Sequence, residues 1–149
     1  MNKGLYALYL IFFVLILVAL YLFTGASILI YLDIASLLVI ALFLTILSIF
    51  TTRFKRCMGY YKAVFNPDAD RDLLEASSRY FGNFTLYTML VGAVGFLTGI
   101  IAMLANLEDT ASVGPNLAVA LITLLYAALL CLMVFLPFKL SLDSRIRKG

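Results

Sequence analysis

Apolar residues occur in four long blocks along the chain, rather than in the period-2 or period-3.6 alternation of a soluble domain. The first block, residues 5–23, contains no charged side chain. At about 1.5 Å of rise per residue, a helix of this length reaches the ~30 Å hydrocarbon thickness of a bilayer. The pattern predicts four membrane-spanning helices, at about residues 5–23, 34–50, 84–107 and 115–138.

Two polar signals mark where these helices begin. Asp33, followed by Ser36, is a typical N-cap for the second block, and Pro115 stands at a favourable first-turn position of the fourth. The first block is longer than the apolar core of a signal peptide, which has roughly 7–15 residues. We therefore expect it to remain as a helix, within one transmembrane domain covering residues 1–149.

The segment 51–83, between the second and third blocks, is predicted to be short and partly helical. Acidic residues follow Pro67 in a predicted first helical turn: Asp68, Asp70 and Asp72. Glu75 and Arg79 are spaced as a favourable i,i+4 ion pair. The three aspartates also match the start of a calcium loop, but Leu73 stands where that loop needs glycine, so no metal site is expected.

Composition supports the membrane assignment. Hydrophobic residues make up 64% of the chain, charged residues 13%, and the mean hydropathy is +1.09. A soluble globular protein carries about a quarter of charged residues. A soluble fold is therefore excluded, and a multi-pass membrane protein is predicted.

The basic residues predict the orientation. Six of the eleven Lys and Arg residues lie within 51–83, four follow the fourth block, and Lys3 precedes the first. The two remaining connections carry only acids, namely Asp33, Glu108 and Asp109. By the positive-inside rule, both termini and the segment 51–83 face the cytoplasm. Lipid headgroups then explain the basic residues, and no nucleic-acid partner is expected.

The candidate chemistry is sparse. The chain has no histidine, and its two cysteines, Cys57 on a basic loop and Cys131 in an apolar block, form no disulfide framework. No ionisable side chain lies well inside a predicted span, so the chain alone has no titrating group to carry protons through the membrane. We expect neither an enzyme nor a cofactor.

Small residues form stripes on two of the predicted helices. The third carries Gly92, Gly95 and Gly99 on one face, including a G-x-x-x-G pair. The fourth carries a second narrow face, formed by Ala120, Thr123, Ala127 and Cys131. These stripes either pack helices together inside the fold or face a cavity or another subunit. The Thr123 hydroxyl either bonds back to the preceding turn or marks the most polar point of that cavity.

Three segments, in order, resemble the MotA/TolQ/ExbB proton-channel family, most closely its MotA-type flagellar stator members. Residues 114–137 (GPNLAVALITLLYAALLCLMVFLP) resemble the family's last transmembrane helix. Residues 92–107 (GAVGFLTGIIAMLANL) resemble the helix before it, and residues 31–39 (YLDIASLLV) resemble the start of the second helix. Four spans with both ends inside also fit the MotA type.

The resemblance implies a multi-pass protein of the bacterial inner membrane that forms a homo-oligomer, a pentamer. The ring would surround a dimer of a single-span partner of the MotB/ExbD/TolR type, whose membrane aspartate takes and releases the ion. Carried over by position, the ion-path candidates are Thr123, Tyr126 and Pro137, and Pro137 would also end the last helix. The implied function is that of an ion-driven motor or channel subunit.

Departures from the family pattern keep an alternative open. Met89, Phe96 and Leu124 replace family residues and make the path drier, which favours a non-conducting scaffold that kept the ring geometry. The segment 51–83 is also much shorter than the cytoplasmic domain of MotA, which contacts the rotor. Charged residues in and beside this segment remain candidates for contact with some partner: Arg53, Arg71, Glu75 and Arg79.

Overall fold

The computed structural model describes residues 3–25, 31–52 and 54–147, and its regular structure there is helical. The helices are α1 (Lys3–Thr24), α2 (Ile34–Thr51), α3 (Phe54–Phe65), α4 (Arg71–Ala105), α5 (Thr110–Leu130) and α6 (Leu136–Ile146). One π turn, Cys131–Phe135, joins α5 to α6 without a break.

Four continuous helical rods are long and apolar enough to cross a bilayer: Lys3–Phe23, Ile34–Thr51, Arg71–Ala105 and Thr110–Ile146. The prediction of an all-α membrane protein with four such helices is confirmed. The last two rods have 35 and 37 residues, whereas a bilayer needs about 20. They therefore extend past the predicted spans, and the extensions 71–83 and 139–146 pack with α3 at one end of the bundle.

The start of α2 confirms the predicted N-cap. The Asp33 carboxylate accepts hydrogen bonds from the backbone N–H groups of Ala35 and Ser36, both at 3.2 Å. The first N–H groups of a helix have no partner within the helix, so a carboxylate there satisfies them and complements the helix dipole.

The start of α5 differs from the prediction. The Asp109 carboxylate accepts a hydrogen bond from the Ala111 N–H at 3.2 Å, and the helix begins at Thr110. Pro115 therefore lies inside α5, and its expected first-turn position is wrong. The hydrogen-bonded cap that Asp109 supplies, rather than the preference of proline for a first turn, determines where α5 begins.

The first helical turn that was predicted to follow Pro67 also begins later than expected. Pro67 and Asp68 lie in the turn after α3, and the helix begins at Arg71 with Asp70 in the N-cap position. The Asn66 side-chain oxygen accepts a hydrogen bond from the Asp68 N–H at 3.1 Å. This side-chain hydrogen bond stabilises a turn at these residues in place of a helical conformation. The predicted ion pair between Glu75 and Arg79 is present, at 3.9 Å.

Pro137 does not end the last helix, which corrects the expectation carried over for it. Proline lacks an N–H, and its ring collides with the carbonyl four residues earlier. The helix widens into the π turn, in which the Leu136 N–H bonds to the carbonyl of Cys131, five residues before it. Beyond Pro137 the chain stays helical to Ile146.

The main hydrophobic core lies at the end of the bundle that carries α3. Its buried members come from α3, α4, the π turn and α6: Val64, Leu74, Tyr80, Phe81, Phe84, Cys131, Phe135, Phe138 and Leu142. Cys57, which was expected on a basic loop, lies in α3 beside this core. The opposite end is held chiefly by the packing of α4 on α5.

Helix α1 lies on the outside of the bundle. Its 18-residue apolar window has no buried residue, and side chains such as Leu5 and Leu22 are exposed. The ring of Tyr6 contacts that of Phe138 at 5.2 Å between centroids and so anchors α1 to the core. The remaining apolar surface of α1 is available to lipid or to another subunit.

Candidate functional site

The two small-residue stripes face each other within one chain. In antiparallel order, the glycines of α4 meet three residues of α5: Gly92 meets Ala127, Gly95 meets Thr123, and Gly99 meets Ala120. Ala120 and Ala127 have no exposed surface. The structure therefore places these glycines in helix packing inside the fold, one of the two readings left open by the sequence.

The approach of the two helices needs glycine. A Cβ atom on Gly99 would lie 2.5 Å from the Cβ and 3.0 Å from the Cα of Ala120. Carbon atoms pack favourably at about 3.5–4.0 Å, so a methyl group there would push the helix backbones apart. The close approach also brings the backbone of Gly95 against the Thr123 side chain.

Thr123 lies in a hydroxyl pair at the junction of α2, α4 and α5. Its Oγ1 atom is 2.7 Å from the Oγ of Ser36 and donates to the Val119 carbonyl at 2.9 Å. Both hydroxyl residues are 5% exposed. The hydroxyl thus bonds back to its own helix, one of the two readings left open by the sequence, and it also contacts a polar group from another helix.

The Ser36–Thr123 pair is also hydrogen-bonded to the carboxylate of Asp33. The Ser36 hydroxyl donates to Asp33, which is half-buried at the N-terminus of α2. The single hydroxyl proton of Ser36 goes to Asp33, so the Ser36 oxygen can only accept in its contact with Thr123, and the one proton of Thr123 can be directed either to that oxygen or to the Val119 carbonyl. The three side chains form one polar chain that runs from the end of the bundle to the α4–α5 contact.

Tyr126 fixes the turn that carries Asp33. Its hydroxyl accepts the Asp33 N–H at 3.0 Å and donates to the Tyr31 carbonyl. Tyr126 therefore holds the start of α2 against α5, and it contributes to the site by positioning Asp33.

A groove of about 580 Å³ opens between α2, α4 and α5 beside the hydroxyl pair. Most of its wall is apolar, with polar atoms supplied by Ser36, Thr98, Asn116 and Thr123. Met89, Phe96 and Leu124, the replacements that suggested a drier path, are not among the groove's lining residues.

The three carried-over ion-path residues do not form one cluster. Thr123 lines the groove, and Tyr126 lies one turn away against residues 31–33. Pro137 is fourteen positions beyond Thr123, about 21 Å along the helix axis, at the end of the bundle that carries α3. The structure brings together Thr123 with Ser36 and Asp33 instead.

The charged candidates lie on the exposed side of α4. The Glu75 carboxylate lies 3.4 Å from the Nε of Arg71 and 3.9 Å from a guanidinium nitrogen of Arg79, and the two arginine side chains are 65% and 76% exposed. Exposed pairs of this kind add about 0–1 kcal/mol to stability, so these charges are available for contacts outside the chain. Arg53 lies outside the described residues.

Sequence reasoning did not assign Ser36 to the site. The signal was its position three residues after the N-cap Asp33, which places its side chain on the same helix face as the capping carboxylate. Its contact with Thr123, 87 positions later, depends on how α2 packs on α5.

These features define a multi-pass, all-helical membrane protein with a mostly apolar groove that carries a hydroxyl pair, and none of the described residues on the groove wall is ionisable. A model of the MotA/TolQ/ExbB proton channel family matches residues 62–148, more than half of the chain. The chain belongs to this family, which is a channel family rather than a class of enzymes.

Curated relatives match a shorter segment. The chemotaxis protein PomA of Vibrio alginolyticus is 52% identical over 54 residues, which are 35% of this chain and 21% of the relative. The uncharacterized protein YtxD of Bacillus subtilis is 46% identical over 54 residues, 36% of this chain and 20% of the relative. Motility protein A of Cereibacter sphaeroides is 45% identical over 54 residues, which are 36% of this chain and 21% of the relative. The match spans about a fifth of these relatives' lengths.

Proposed function

We propose that the chain is the membrane subunit of an ion-motive-force-driven motor or channel in the bacterial inner membrane. It assembles as a homopentamer around a dimer of a single-span partner of the MotB/ExbD/TolR type. The ion-binding aspartate belongs to that partner. Membership of the proton-channel family and the relatives named for chemotaxis and motility support this proposal.

The observation that carries the proposal is the Ser36–Thr123 hydroxyl pair on the wall of the groove. Hydroxyl oxygens can hold a water molecule or a desolvated ion, but neither hydroxyl titrates in the physiological range. No described residue on the groove wall is acidic, and no acid lies between Thr110 and Phe138. Asp33, which contacts the hydroxyl pair through Ser36, caps α2 and does not line the groove. A carboxylate that binds the proton inside the groove therefore comes from another chain, and a partner helix seated in the groove supplies it.

The glycine stripe limits how the ring is built. Gly92, Gly95 and Gly99 are occupied by α5 of the same chain. Contacts between subunits then come from other surfaces, of which the exposed apolar residues of α1 and α2 are the largest. The orientation with both termini and the segment 51–83 in the cytoplasm follows from the distribution of Lys and Arg.

Ion flux into vesicles tests the proposal when the chain is co-expressed with a single-span partner. We expect Thr123→Val to lower the flux, because it keeps the side-chain volume and removes the hydroxyl at the groove. Thr85→Val is the matched control, since the Thr85 hydroxyl also bonds to the carbonyl four residues earlier, at 2.9 Å, but lies outside the groove. Unchanged flux in Thr123→Val would remove the assigned role of this residue.

The scaffold alternative is favoured by the small polar share of the groove wall. A scaffold keeps the ring and the partner but carries no ion current. Intact complexes that show no flux above that of empty vesicles, under either a proton or a sodium gradient, would support the scaffold over the motor.

A further inference from the structure

A second pocket, of about 270 Å³, lies where α2, α3 and α4 meet. Its polar lining comes from Thr52, Tyr60, Arg79, Asn83 and Tyr87. The pocket is separate from the groove beside Thr123, and the proposal below does not depend on ion conduction.

Several polar groups of this pocket have no partner in the described part of the chain. The structure gives no side-chain hydrogen bond to Tyr60, Asn83 or Tyr87 there, whereas the neighbouring Tyr80 hydroxyl lies 2.8 Å from the Cys57 sulfur. Every fully buried polar side-chain atom in the described residues is satisfied. The two free phenols and the amide are thus donors available to a ligand.

The pocket is positively charged. Among the described residues that line it, Arg79 is the charged one and none is acidic. Glu75 contacts the Arg79 guanidinium only at 3.9 Å, and that guanidinium is 76% exposed, so the pair is weak. A cation surrounded by neutral donors is suited to an anion that has several oxygen atoms, such as a phosphate.

The pocket also lies at the boundary between polar and apolar surface. Arg79 is the last charged residue of α4 before an uncharged run that continues to Leu107. Phe50, which precedes the lining residue Thr51 in the chain, is 85% exposed, and Leu86, three residues after the lining residue Asn83 on α4, is 58% exposed. Tyrosines at such a boundary are typical of the membrane–water interface. A ligand bound here has its polar part in the pocket and its apolar part against the exposed side chains.

We propose that this pocket binds the phosphate headgroup of an anionic phospholipid. The Arg79 guanidinium pairs with the phosphate, and the Tyr60, Asn83 and Tyr87 side chains donate to its oxygens or to the glycerol. The acyl chains lie along Phe50 and Leu86. The lipid would thereby connect the end of α2 to the start of the membrane part of α4.

Native mass spectrometry of the detergent-solubilised full chain tests this assignment, with phosphatidylglycerol and phosphatidylcholine titrated separately. We expect tighter binding of phosphatidylglycerol, and at least tenfold weaker binding in Arg79→Gln, because a charge-assisted hydrogen bond is lost. Arg71→Gln is the matched control, since it removes the same charge from the same helix and frees the same Glu75 but lies outside the pocket. The affinity of the Arg71→Gln variant for phosphatidylglycerol should fall no more than about threefold.

A second variant separates the pocket from general surface charge. Tyr87→Phe removes one hydroxyl and no charge, and should also weaken phosphatidylglycerol binding. Equal losses in Arg71→Gln and Arg79→Gln, or no loss in Arg79→Gln, would overturn the proposal. Inorganic phosphate at millimolar concentration should not displace the lipid. Displacement would show that the site takes a soluble phosphate and would overturn the assignment to a lipid.

Discussion

The Tyr6 hydroxyl donates a hydrogen bond to the carbonyl oxygen of Met133 at 2.8 Å, although the residues are 127 positions apart. In a regular α-helix that carbonyl would accept from residue 137, which is a proline without an N–H. The Leu132 carbonyl also lacks its usual partner within the helix, because the Leu136 N–H bonds to the Cys131 carbonyl instead. The Leu132 carbonyl accepts a hydrogen bond from the Tyr9 hydroxyl at 2.7 Å. Two tyrosines of α1 therefore satisfy the carbonyls that the π turn exposes, as a proline in an apolar helix requires.

Tyr6→Phe is expected to lower the free energy of unfolding by about 0.6–1.7 kcal/mol, the range for hydrogen bonds between membrane helices. The loss should shrink in a Pro137→Ala background, because alanine restores the N–H that pairs with the Met133 carbonyl. Reversible unfolding in mixed micelles measures this coupling as a double-mutant cycle. Tyr60→Phe is the control, since the structure gives the Tyr60 hydroxyl no partner among the described residues. Additive effects of the Tyr6 and Pro137 changes would contradict the pairing.

Gly99→Ala should destabilise the chain, because its methyl group would meet the Ala120 side chain and Cα. Overpacking of this kind costs about 1–3 kcal/mol. Removing the opposing methyl group should recover part of the loss, so Gly99→Ala with Ala120→Gly is expected to be more stable than Gly99→Ala alone. The same unfolding assay measures the single and the double variant.

Gly114→Ala is the matched control for this change. Gly114 also lies in a helix, but a Cβ there meets nothing within 4 Å. Alanine at an exposed helical position is favoured over glycine by about 0.5–1 kcal/mol, so this variant should be as stable as the parent or more so. A loss of stability in Gly114→Ala equal to that in Gly99→Ala would show that the α4–α5 contact is not the cause.

The sequence predicted those features of the fold that depend on local pattern. The four apolar rods follow from the length of the uncharged apolar blocks, and the Asp33 cap follows from one side chain next to its own helix. The spacing of Gly92, Gly95 and Gly99 predicted a close-packing face, although it left two possible partners for that face. The helix that covers this face is α5 of the same chain, and this pairing depends on tertiary packing that no local sequence pattern determines.

The features that sequence reasoning missed depend on contacts between distant segments. Nothing near Tyr6 in the sequence indicates that its hydroxyl serves a carbonyl freed by Pro137. The position of Ser36 against Thr123 likewise depends on the packing of α2 on α5. The resemblance to the family's last helix implied that Pro137 ends the helix, but a π turn and two tyrosines compensate for the backbone hydrogen bond that the proline removes.

Arg145→Gln is expected to loosen the end of α3. The Arg145 guanidinium donates to three backbone carbonyls in and after the last turn of α3: Ala63 at 3.1 Å, Asn66 at 2.7 Å and Pro67 at 2.9 Å. A cation there also complements the helix dipole. Hydrogen bonds to a charged group contribute about 1.5–3 kcal/mol, and we expect a loss of this order.

Arg145→Lys tests whether charge alone is sufficient. Lysine keeps the positive charge but lacks the planar fork that reaches three carbonyls from two nitrogens. Hydrogen exchange of the α3 amides should therefore rise in both variants, and less in Arg145→Lys than in Arg145→Gln. Full protection of α3 in Arg145→Gln would exclude the capping role.

Asp143, which follows the fourth predicted span, should make stability depend on acid pH. Burial raises the pKa of Asp143, but hydrogen bonds from Lys139 and Ser78 and the charges of Lys139 and Arg147 outweigh it, so this pKa lies below its ordinary value of 3.8. The Lys139 Nζ lies 2.8 Å from the carboxylate. Because the pKa is lower in the folded state, the carboxylate stabilises the fold at pH values above about 3.8, and this contribution disappears as the pH falls through the folded-state pKa.

The measurement is the difference in unfolding free energy between the parent chain and Asp143→Asn, from pH 7 to pH 3. The difference should be constant down to about pH 5 and should shrink below pH 4, because a protonated carboxyl and an amide are then nearly equivalent. Lys139→Met keeps the apolar stem of the side chain and removes the charge closest to Asp143, so the same difference measured in that background should be smaller at neutral pH. A difference that persists unchanged at pH 3 would mean that Asp143 stabilises the chain through packing rather than through its charge.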